Sequence, residues 1–303
     1  MTKDNFLNFF DTLFLKFLSE KTKNRTEVLI LMIAIASFFI HLVIIFLVDF
    51  KFIELNDHSN LFKNPIASIY TPFSFILIYE VYLLIYYLPK SITVYIGKQY
   101  EIMTLVLIRR LFKDLSNLQL TSDWFSDKGD LLFTYDLITA VILFFLILVF
   151  YSLNPQKEDK GGPQAKLSDG TFLFIRMKNW IATLLVPVFV VMATYSLVNW
   201  LYISFFKTIQ FLEKAPRVDG IFFDQFFTIL ILADVLLLLI SFLRTDRFST
   251  VIRNSGFIIS TILIKISFGT EGLLNNVLVV VAVLFGVTIL AIQKRYDRLG
   301  SNY

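Results

Sequence analysis

Eight ionisable side chains stand inside or beside long apolar runs: His41, Glu80, Lys98, Glu101, Arg109, Asp136, Asp234 and Lys265. Lys265 is the plainest case, an ammonium group in the middle of STILIKISF, residues 260–268. A charged group at bilayer depth costs on the order of 3 kcal/mol by insertion scales, so it faces the interior of a helix bundle and pairs there. Two chemistries follow from such residues. They either lock helices together or line a polar path for ions or protons.

Spacing suggests the pairs. An acid on one apolar run and a base on the next recur twice, Asp234 with Lys265 and Glu80 with Arg109. Lys98 and Glu101 are one helical turn apart and can neutralise each other locally. Asp136 has no charged neighbour within its own run and reads either as an interfacial acid or as a transport site. His41 reads either as a hydrogen-bonded interior histidine or as a proton carrier.

The elements that must position these groups are set by composition. With 56% hydrophobic residues, 34 phenylalanines and a mean hydropathy of +0.70, the chain carries more apolar surface than a water-soluble core can hide. Several runs approach the roughly 20 apolar residues that cross about 30 Å of hydrocarbon. They must be helices, because lipid offers no partner for a free backbone amide. The charged stretch ahead of the first run, with no small-residue cleavage site, predicts that no leader is removed. Zero cysteines exclude disulfides and thiolate chemistry, and a net charge of +4 carries no nucleic-acid footprint.

An internal repeat organises the helices. YEVYLLIYYL from Tyr79 matches ADVLLLLISF from Ala233, with an acid second in each. VYIGKQYEIMTLVLI from Val94 matches VIRNSGFIISTILIK from Val251, FKFI from Phe50 matches FKTI from Phe206, and DLLFTYDLITAVILF from Asp130 matches GLLNNVLVVVAVLFG from Gly272. Four matches in one order predict a duplication. The expected fold is an all-α polytopic membrane protein of about eight transmembrane helices, arranged as two parallel four-helix repeats. Its expected parts are an amphipathic N-terminal helix and tail (1–26), a first repeat (27–154), a cytoplasmic linker (155–179), a second repeat (180–293) and a basic tail (294–303).

The larger share of lysines and arginines falls on the side of the termini and linker, which predicts an inner-membrane protein with both termini cytoplasmic. Phe6, Phe9, Phe10, Phe14 and Phe17 recur at helical spacing opposite Asn8, Asp11 and Lys16. That stripe predicts a helix lying in the inner membrane interface, or one packed on the protein's own cytoplasmic side.

Asp234, the element Thr261-x-x-x-Lys265 behind Arg253, and an aliphatic last run ending in basic residues together resemble the phosphate-starvation-inducible E family of four-span membrane proteins. Lysine stands here where that family has arginine. The resemblance covers the last third of the chain; it implies a four-span unit, here duplicated, and lends no biochemical activity.

Motif searches narrow the function. The sequence contains no GxxxxGK[ST] phosphate loop, HExxH helix or GxSxG elbow, and its soluble stretches are too short for a catalytic domain. No cofactor, bound metal or catalytic residue is expected. The reading is a small-ion or proton channel or transporter whose path is lined by the intramembrane charges. Its partners are then the lipid bilayer, small ions or protons and a second copy of the chain, with no nucleic acid. The alternative is a non-transporting scaffold or sensor acting through a partner, and the weaker one an intramembrane lipid-modifying enzyme.

Overall fold

The computed structural model describes residues 11–51, 65–115, 128–154, 169–206, 218–242 and 248–300. The described residues form helices joined by turns. A short helix α1 (11–17) leads into α2 (Glu20–Asp49); then come α3 (Tyr70–Tyr87), α4 (Ile92–Leu115), α5 (Lys128–Leu153), α6 (Asp169–Phe206), α7 (Val218–Phe242), α8 (Phe248–Phe268) and α9 (Gly272–Gly300). A 3-10 turn, Pro65–Ile69, precedes α3. The protein is an all-α membrane protein. Five helical stretches are long and apolar enough to cross a bilayer: Asp11–Asp49, Gly129–Leu153, Ile175–Tyr195, Phe248–Phe268 and Gly272–Leu299.

Helix ends have local causes. Ser19 caps α2, its hydroxyl accepting from the Thr22 amide at 3.2 Å. Pro89 and Lys90 turn the chain between α3 and α4, and Ser91 accepts the first backbone bond of α4, from the Tyr95 amide. Between α8 and α9, Gly272 adopts a φ of 64°, a left-handed conformation that a side chain would strain.

Two helices show how burial follows surroundings. α2 exposes Leu29, Leu31, Met32, Ile35, Phe39, Ile40 and Val43, which is stable only against hydrocarbon. α4 is the opposite. It packs against α3, α5 and α8, and Ile96, Gln99, Tyr100, Ile102 and Thr104 are all buried. A helix enclosed by protein can carry polar groups that lipid would reject, so α4 lacks the hydropathy of a span although its 24 residues reach about 36 Å. α3 and α7 contain the shorter apolar stretches Thr71–Tyr87 and Gln225–Leu237.

Helix boundaries differ from the expected segments at three places. α6 begins at Asp169, so the last part of the expected linker is helical; α9 runs to Gly300, which makes most of the basic tail helical; and α2 starts at Glu20. In each case charged or polar residues continue the helix past its apolar run, where hydropathy alone would end it. Linker residues 155–168 lie outside the described residues.

The α8–α9–α4 junction is close-packed through glycine. A Cβ on Gly256 would meet Ile289 at 2.7 Å, and one on Gly286 would collide with the Tyr100 hydroxyl. Small residues let these backbones approach.

Candidate functional site

Along α4, polar side chains recur at Tyr95, Gln99, Tyr100, Thr104 and Arg110, and each meets a different neighbour. At the α3–α4 turn a cavity of about 290 Å³ is lined by Leu88, Ser91, Ile92, Tyr95, Lys178, Asp234, Leu237, Thr250, Arg253 and Asn254. Asp234 is 7% exposed and accepts a hydrogen bond from the Tyr95 hydroxyl at 3.2 Å. Lys178, from α6, interacts electrostatically with it and donates to the Lys90 carbonyl at 3.1 Å. Arg253 turns its Nε and Nη2 onto the Asn254 Oδ1, at 3.1 and 3.0 Å.

From this cavity a polar seam continues between α4 and α8. Thr261 donates to Gln99 Oε1 at 2.7 Å, and Ser260 donates to the Ala282 carbonyl of α9 at 2.7 Å. Because Ser260 has given its hydrogen to Ala282, Tyr100 is the donor in its 2.8 Å bond to Ser260. Gln99 Nε2 is buried without a hydrogen-bond partner among the described residues. Gln99, Tyr100, Ser260 and Thr261 are fully enclosed. Hydroxyls on a helix can return their bonds to the preceding turn, as Thr104 does to the Tyr100 carbonyl at 3.0 Å.

At the far end of the seam sits an ion cluster. Arg110 grips Asp136 with two nitrogens, one contact at 2.7 Å, and donates to Asn275 Oδ1 at 2.8 Å and to Asn276 Oδ1. Asn276 in turn donates to Asp136 at 2.6 Å, so the carboxylate is bonded from two helices. The fork of the guanidinium matches the carboxylate plane and ties α4 to α5 and α9.

The expected pairs are rearranged. Asp234 takes Tyr95, with Lys178 nearby, and not Lys265. Lys265 lies in the last turn of α8, about 18 Å along the axis from Arg253 at the cavity. There its charge complements the carbonyl end of the helix, and its stem can reach the interface. Glu80 does not pair with Arg109; its charged neighbours are Glu101, Lys98 and Glu27. The adjacent Arg110 meets the Asp136 carboxylate, and helix geometry turns it roughly 100° away from Arg109. Asp136 is therefore not alone.

Lys98 and Glu101 do join, at 2.6 Å, with Lys98 over the Tyr87 ring and Tyr151 donating to Glu101. His41 is buried and hydrogen-bonded through Nδ1 to Thr71 at 2.5 Å. Of the aromatic stripe, Phe6, Phe9 and Phe10 lie outside the described residues. Phe14 packs against the buried core and Phe17 is partly exposed. Arg176 holds Asp11 at 2.7 Å, and Tyr82 donates to the Phe17 carbonyl at 2.8 Å, so α1 is docked on α3 and α6.

Sequence reasoning passed over Arg110, Asn275, Asn276, Tyr95, Gln99, Lys178 and Asn254 as site residues, and read Arg253 only as part of the family-like element. A signal was present in two of these places: Asn275 and Asn276 open an aliphatic helix, and Tyr95 and Gln99 share a face of α4. Among the described residues, no group of three or more His, Cys, Asp or Glu side chains is arranged to hold a metal ion. Comparison of the chain with protein-family models, curated proteins and solved structures finds no match.

Proposed function

We propose that this protein carries protons or small ions through the α4–α8 seam, with Asp234 as the charged group at its mouth. In this reading α2 to α9 all cross the bilayer, giving eight spans, and α2–α5 and α6–α9 are two parallel units. Contacts of α4 with α8 and of α5 with α9 support the two units, since third meets third and fourth meets fourth. Lysine and arginine placement puts the termini and the Asp234 cavity on the cytoplasmic side of an inner membrane.

One observation carries the reading: a buried carboxylate lines a cavity, and buried polar side chains continue from it along the facing sides of α4 and α8. Such an intramembrane acid is costly unless it serves a path or a lock. Asp234 has no fork-like arginine partner of the kind that holds Asp136, which favours the path. Buried Met103 and Leu107 of α4 and Phe257 of α8 occupy the middle of the same helices, so ion passage requires them to part, whereas a proton can move by hydroxyl relay.

Liposomes reconstituted with wild-type protein and with Asp234→Asn test this directly, scanning protons, potassium, sodium and chloride. Wild-type flux that the substitution alters supports the path. No flux of any ion from folded protein would leave the scaffold reading, in which the polar contacts only join helices.

A further inference from the structure

We propose that the cavity at the α3–α4 turn binds a phosphate group, presented by the free ion or by a lipid headgroup. The inference goes beyond ion conduction and does not require it. Its first basis is charge: Lys178 and Arg253 line the cavity against one acid, Asp234. Lys178 neighbours Asp234, while the acid that bears on Arg253 is Asp297 of α9, which lies beyond ion-pair distance. An arginine whose planar donors are held only by a neutral amide is suited to a tetrahedral oxyanion.

Asn254 supplies the independent second basis. It is 7% exposed, and two Arg253 nitrogens on its Oδ1 settle which way the amide faces. Asn254 lines the cavity, and its Nδ2 has no hydrogen-bond partner among the described residues, so it can donate to a bound group. The Ser91 and Thr250 hydroxyls and the amides at the start of α4 add donors around the same space.

Size and position limit the ligand. At about 290 Å³ the cavity lies at the lower edge of small-molecule sites, which suits one ion or one headgroup. Leu88, Ile92 and Leu237 form an apolar part of the wall at helix ends, where the glycerol of a lipid would lie.

The test uses the full chain in detergent, titrated with sodium phosphate or, at matched ionic strength, sodium chloride, while thermal unfolding is followed. Phosphate should raise the midpoint as bound ligand stabilises the folded state, and chloride should not. Arg253→Gln should weaken binding about tenfold or more, with Arg253→Lys intermediate. Lys178→Gln, checked for folding by circular dichroism, is the second variant.

The source is read by native mass spectrometry after reconstitution in phosphatidylglycerol or in a phosphate-free glycolipid. Retained phosphatidylglycerol that needs Arg253 identifies the headgroup; phosphate binding undiminished in glycolipid identifies the free ion. If neither source binds wild type more tightly than Arg253→Gln and Lys178→Gln, the inference is wrong. Flux without binding would overturn this site alone, and binding without flux would overturn conduction alone.

Discussion

At the residue scale, the two intramembrane acids Asp136 and Asp234 differ in their partners, and the difference predicts different phenotypes. Asp136 is gripped by Arg110 and Asn276, so replacing Arg110 by Gln strands a buried carboxylate and should cost about 3 kcal/mol. Asp136→Asn in the same chain should recover part of that loss, measured as a double-mutant cycle of thermal or denaturant unfolding. Additive losses would mean the pair is not coupled. Tyr100→Phe removes one neutral hydrogen bond to Ser260 and should cost only about 0.5–1 kcal/mol. A loss several times larger would show that the seam is a cooperative network and not a set of separate contacts.

At the element scale, α4 depends on close approach more than on its own hydropathy. Gly286 of α9 faces the Tyr100 hydroxyl, and Gly256 of α8 faces Ile289. Gly286→Ala should therefore push α9 away from α4 and destabilise the fold by about 1–3 kcal/mol. Gly269→Ala is the control: its Cβ would meet only the Ile266 carbonyl, at an ordinary 3.6 Å. Equal behaviour of the two variants in thermal unfolding would contradict the packing described for the α4–α9 contact.

At the scale of the whole molecule, the eight-span proposal places the α3–α4 turn on the side of the termini and the α8–α9 turn opposite. The natural chain has no cysteine, so single substitutions Lys90→Cys and Glu271→Cys, both at exposed positions, give clean labels. In oriented vesicles a membrane-impermeant maleimide should reach one of them from each side. Labelling of both from the same face would rule out eight spans, whatever the flux data say.

Much of this architecture was legible in the sequence because hydrocarbon imposes it. Lipid cannot satisfy a backbone amide, so apolar runs such as residues 28–50 and 131–153 were expected to be helices, and α2 and α5 cover nearly all of them. The i, i+3 pairing of Lys98 with Glu101 was readable for the same reason, since helix geometry alone brings them together. Partners across helices were not readable. Whether Arg110 meets Asp136 depends on the rotation of α4 about its axis, and whether Asp234 meets Tyr95 or Lys265 depends on where α7 and α8 begin and end. Those quantities are set by packing among helices far apart in the chain, at Gly286 against Tyr100 and Asn276 against Asp136, and only the tertiary structure decides them.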